Sequence, residues 1–82
     1  MSDVKIRVYR DTDQHLASTV TIPGGILRIA ARLMPRRAVE ALQKEGIELD
    51  ELVRLSEQPE AQGRLVEIED HDKNERVVVS LE

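Results

Sequence analysis

Two stretches of strict alternation, one at each end of the chain, bracket a middle with helical spacing, and no other feature limits the fold as much. Val4, Ile6 and Val8 alternate with Lys5, Arg7 and Tyr9, the period of a strand with one buried face. Beyond the polar link 10–14, Leu16, Val20 and Ile22 fall on one face together with Ser18, which predicts a hairpin. Near the other end, Val66 and Ile68 alternate within 64–69. The polar turn Asp70-His71-Asp72-Lys73-Asn74-Glu75 leads from them to Val77, Val79 and Leu81, a second hairpin.

Between the hairpins the period changes. Pro23-Gly24-Gly25 ends the second strand, because proline cannot donate to a ladder and glycine permits a change of direction. Ile26, Leu27, Ile29, Ala30, Leu33 and Met34 then follow helical spacing, which predicts one helix with these residues inward and Arg28 and Arg32 on the other side. Pro35 ends or kinks that helix and suits the first turn of the next. A second helix is predicted over 36–45, with Val39 and Leu42 inward and Gly46 as its C-terminal cap. A third starts near Leu49, with Leu49, Leu52 and Val53 on one face and acids in its first turn. The order is ββ-ααα-ββ, an α+β fold with a four-stranded, mainly antiparallel sheet and helices on one face. One domain is expected over residues 1–82.

The core must be aliphatic, since Tyr9 is the one aromatic residue and cysteine is absent. Neither disulfides nor thiolate-held zinc is available to the chain. No run approaches the roughly 18 apolar residues of a membrane span, and the N-terminus shows no secretory pattern, so a cytoplasmic location is expected.

Chemical equipment is sparse. Ser18, Ser56 and Ser80 are scattered and none lies in a nucleophile elbow; His15 and His71 flank the predicted turns. Asp70, Asp72 and Asn74 match the first ligand positions of a calcium loop, but Glu75 and Leu81 stand where glycine and glutamate belong, which favours a turn. Pro23-Gly24-Gly25 lacks the spacing and the lysine of a phosphate loop. No catalytic residue, metal ligand or cofactor is assigned, and no enzymatic activity is expected.

The charge layout is uneven. Residues 26–37 hold Arg28, Arg32, Arg36 and Arg37 and no acid, whereas 38–82 hold thirteen acids against five bases, within a net charge of -4. An acidic chain is a poor general nucleic-acid binder. If the helix bends only slightly at Pro35, the arginines form one basic stripe for an acidic protein partner or an anionic membrane surface. The competing reading, which the sequence favours, pairs them with internal acids such as Glu40, Glu45 or Glu51.

Segments spread over residues 4–81 resemble a known family. They are Lys5-Ile6-Arg7-Val8, Val20-Thr21-Ile22-Pro23, Met34-Pro35-Arg36-Arg37-Ala38, 45–52 (EGIELDEL) and 63–70 (GRLVEIED). The resemblance is to a small bacterial SHOCT-like domain that accompanies adhesin-type or envelope-stress proteins. It implies bacterial origin, a link to envelope-stress responses and no catalytic residues.

The functional expectation is a non-catalytic interaction or regulatory module; the alternative is a small ligand-binding domain or an enzyme with an unrecognised site. A homodimer is expected through the last strand, where Val77, Val78 and Val79 carry neither proline nor charge and would form a poorly defended sheet edge.

Overall fold

The structure is a computed structural model that describes residues 2–82. Strands β1 (Val4–Arg10), β2 (His15–Ile22), β3 (Gly63–Asp70) and β4 (Glu75–Leu81) form one antiparallel sheet. Between β2 and β3 lie α1 (Leu27–Ala30), α2 (Arg36–Lys44) and α3 (Leu49–Ser56). The α+β class and the order ββ-ααα-ββ are as the alternation and helical spacing predict.

The strand order is β2-β1-β4-β3. The two hairpins are therefore joined by their inner strands, β1 against β4, with Val4 opposite Leu81 and Val8 opposite Val77. Reciprocal backbone hydrogen bonds of 2.9 Å between Asp3 and Glu82 continue this pairing past the strand ends. Both hairpin turns lie at the same end of the sheet, because Arg10 pairs with His15 on one side and with Glu75 on the other.

This order corrects the expected dimer edge. Val77, Val78 and Val79 lie on an interior strand whose two sides are taken by β1 and β3. Val77 and Val79 are core residues, and Val78 is half-buried on the opposite face. The sheet's edges are β2 and β3.

The core joins the inward row of the sheet (Val4, Ile6, Ile22, Val66, Val79 and Leu81) to Leu27, Ala38, Leu42 and Leu52 from the helices. Burying the Val, Ile and Leu side chains of this set stabilises the fold by roughly 1.5–3 kcal/mol each before ordering costs are subtracted. α2 packs on β3 and β4, and α1 packs against α3. Chain reversal after α2 uses Gly46 at φ 76°, where the Gly46 N–H donates to Gln43 O (2.9 Å) and the Ile47 N–H to Leu42 O (2.8 Å). That bonding satisfies the last carbonyls of the helix.

Two predicted details differ. Val8 pairs with Ser18 but Tyr9 with Leu16, so Ala17 is an extra residue in β2. This bulge moves Leu16 to the face of Tyr9 and leaves it 51% exposed rather than inward beside Val20. The first helix is also not continuous. α1 is one turn flanked by 3-10 turns at Gly24–Ile26 and Ala31–Leu33, and Met34 and Pro35 are extended, with ψ of 135° and 141°. The proline ring disfavours helical backbone at the residue before it, so Met34 is extended and the helical path breaks there.

Candidate partner-binding surface

The break at Met34-Pro35 separates the four arginines, so they do not form one helical stripe. Arg28 Nη1 donates to Asp50 Oδ1 at 2.7 Å, linking α1 to the first turn of α3. Arg36 lies 3.6 Å from Glu40 one turn along α2, with both side chains largely in solvent. Arg37 is different in kind: it is half-buried and faces Asp70 (3.6 Å) and Glu75, clamping the start of α2 to the turn end of the sheet. Among the described residues, Arg32 has no carboxylate within ion-pair distance. Exposed pairs such as Arg28–Asp50 and Arg36–Glu40 are worth little and exchange readily with an incoming group.

The apolar residues of 26–34 divide into two sets. Helical spacing predicts all six inward, yet only Leu27, Ala30 and Met34 are buried, while Ile26, Ile29 and Leu33 are exposed. Ile29 is 78% exposed and Leu33 67%. Their three- and four-residue spacing makes them one row along the acid-free segment. The signal was present in the pattern: at 100° per residue, the six apolar positions cover an arc of about 160°, wider than the stripe of about 100° that suffices to face a core. Arg28 and Arg32 border this row. Asp50, Glu51 and Glu57 line a shallow depression with Arg28 beside it, and Glu57 also meets Ile26 and Ile29 in a neighbouring one.

Concave sites are modest. A groove of about 270 Å³ between residues 31–34, α2 and residues 47–52 is lined by Met34, Val39, Leu42, Ile47, Leu49 and Leu52, with Arg32, Gln43 and Glu48 as its polar side chains. It falls just below the usual 300–1,000 Å³ of small-molecule pockets. A more polar cleft of about 400 Å³ lies at the turn end, where Arg37, Asp70 and Glu75 meet His71 and Asp72.

The titratable groups considered from sequence occupy separate places. The Ser56 hydroxyl is buried and donates to Val53 O at 2.6 Å. Ser80 donates to Glu82 Oε2 at 2.8 Å. His15 Nδ1 lies 3.0 Å from Asp13 Oδ1, and Asp11 joins them so that the three ligating groups fall within 4.8 Å, all exposed. The hydrogen bond to Asp13 is the main reason the His15 pKa is raised, and the same bond lowers that of Asp13. At the second turn, the Asp72 and Lys73 N–H groups donate to Asp70 Oδ1 at 3.1 and 3.2 Å, which spends that oxygen on the turn. On the open face of the sheet, the Arg76 guanidinium lies 4.6 Å from the Tyr9 ring centre and Nη1 bonds Glu67 at 3.3 Å.

Among the described residues, no helix is long and apolar enough to cross a membrane. No curated protein and no solved structure matches the chain. The family model for "YvlB-like protein, C-terminal domain" matches residues 4–80. This corrects the SHOCT-like resemblance, and the envelope-stress link that rested on it loses its basis. The segments behind that resemblance are structural punctuation: Pro35-Arg36 opens α2, Gly46-Ile47 closes it, and 63–70 is an edge strand. Such devices recur in unrelated small domains because helix ends and strands demand them. By this match over almost its whole length, the chain belongs to the family of YvlB-like protein C-terminal domains.

Proposed function

We propose that this domain is a non-catalytic protein-interaction module, acting in the cytoplasm, whose working surface is the row Ile26, Ile29 and Leu33 with Arg28 and Arg32 at its border. The observation that carries the reading is the exposure of three large aliphatic side chains in one row, Ile29 and Leu33 being the most exposed large apolar residues among those described. A contiguous apolar patch with a charged rim is the anatomy of a protein interface. Arg32, which among the described residues has no carboxylate within ion-pair distance, supports a partner that brings one to that rim.

A protein fits better than a lipid bilayer. Asp50, Glu51 and Glu57 stand beside the same surface and would be driven from an anionic headgroup layer, whereas a protein rim accommodates both signs.

The test compares immobilised wild type with Ile29→Asp/Leu33→Asp, matched for fold by circular dichroism, in lysate of the native host and against vesicles with anionic headgroups. A protein retained by wild type and lost by the variant supports the reading. Retention of vesicles alone would move the surface to a membrane role, and equal retention by both forms would contradict it.

A further inference from the structure

The two edges of the sheet are defended very differently. β3 carries Arg64, Glu67, Glu69 and Asp70 along its length, and Leu65 forms a bulge in it opposite β4. These are the usual means by which a sheet edge resists pairing with another strand. β2 reads His-Leu-Ala-Ser-Thr-Val-Thr-Ile, with no proline, no glycine and no charged side chain from Leu16 to Ile22. It pairs with β1 on one side only, and residues 15–19 are exposed on both faces, so β2 overhangs the helical layer. Its one irregularity, the bulge at Ala17, leaves Ser18–Ile22 as a regular run of β-favouring residues.

We propose that β2 is a self-association edge, at which a second copy of this chain adds antiparallel to residues 18–22 and extends the sheet to eight strands. The occupant is argued from charge and symmetry. With a net charge of -4, two copies repel each other, and they meet at least cost where neither presents charge. An antiparallel strand is its own complement about a two-fold axis. Centred on Val20, that axis sets Val20 opposite Val20 of the second copy, Thr19 opposite its Thr21, and Ser18 opposite its Ile22. Each pair lies on a common face, and opposed threonines form a favourable cross-strand pair. The same operation on β3 about Ile68 would set Glu67 opposite Glu69 twice, a like-charge clash. The contact is one strand wide and below the standard interface size, so the dimer is a weak one with its midpoint at micromolar concentration. It stands independently of the surface at Ile29, and it moves the expected dimer from Val77–Val79 to the strand that is open.

Sedimentation equilibrium of the 82-residue chain over the micromolar range tests the proposal. The expected result is a mass that rises from 9.3 kDa toward twice that value. Thr19→Lys/Thr21→Lys opposes lysine to lysine twice across the axis and weakens the dimer about tenfold or more. Mixing that variant with Thr19→Glu/Thr21→Glu restores association as a heterodimer. A wild-type mass fixed at 9.3 kDa overturns the proposal, and so does a dimer indifferent to the lysines. Should the paired variants fail to fold, amide exchange of the wild type decides: protection over 18–22 must rise with concentration, and its constancy overturns the proposal.

Discussion

Leu27 and Ile29 are two residues apart on the same short turn, yet Leu27 is 1% exposed and Ile29 is 78% exposed. One aliphatic side chain holds α1 to the core, and its neighbour is left for water or a partner. Leu27→Ala therefore costs about 2–5 kcal/mol of unfolding free energy, because it opens a cavity in the aliphatic core. Ile29→Ala stays within about 0.5 kcal/mol. Urea titrations of the two variants check the contrast, and equal costs would mean that α1 is turned differently.

The arginines divide in the same way. Arg37→Ala leaves Glu75, which is 12% exposed, with Arg10 as its remaining cation at 3.1 Å, and costs about 1–3 kcal/mol. Arg36→Ala removes a solvated pair with Glu40 and costs no more than about 0.5 kcal/mol. Thermal unfolding of both variants at matched pH separates the roles.

Gly46→Ala destabilises the domain by about 1 kcal/mol, since a side chain at φ 76° strains its own backbone although the space around its Cβ is open. The loss appears in denaturant midpoints without a change in slope.

Two carboxylate contacts make stability depend on pH, with opposite signs. Glu82 is lowered from 4.5 to about 2, first by its hydrogen bonds from Arg7, one of them 3.0 Å long, and then by Ser80. A depressed carboxylate pKa contributes stability that is full above pH 4.5 and is lost as pH falls toward 2. Glu82→Gln accordingly narrows its deficit relative to wild type across that window. His15 is raised above 6.5 by Asp13, so its contribution is full below that pH and disappears as pH rises through the raised value. His15→Gln flattens that alkaline limb. Both groups are exposed, so both effects are small, and denaturant midpoints from pH 2 to 8 resolve them by sign.

Much of the fold could be read from spacing because it depends on local chemistry. Alternation at Val4, Ile6 and Val8 and at Val77, Val79 and Leu81 reports burial of one strand face, and Gly46 reports the end of α2. Strand order could not be read the same way. It depends on β1 meeting β4 across more than fifty intervening residues, and either hairpin could have presented its other strand. That choice is what placed Val77–Val79 inside and β2 outside. Alternation places Leu16 inward, but one inserted residue, Ala17, reverses the face of all that precedes it in β2. The candidate surface was half legible: the acid-free arginine segment stands out in the sequence, but the exposed row was hidden by assigning every apolar residue of 26–34 to the core. Its breadth resolves only once the 3-10 turns and the extended Met34-Pro35 step fix which side meets α3.

The claim that Ile26, Ile29 and Leu33 form the working surface is tested most directly by position-resolved photo-crosslinking in the native host. A photoreactive residue is placed in turn at positions 26, 29 and 33, and at positions 45 and 73 on other parts of the surface. One shared protein adduct is expected at the first three positions, and its absence at the other two. No adduct at 29 and 33, or the same adduct at all five positions, would contradict it.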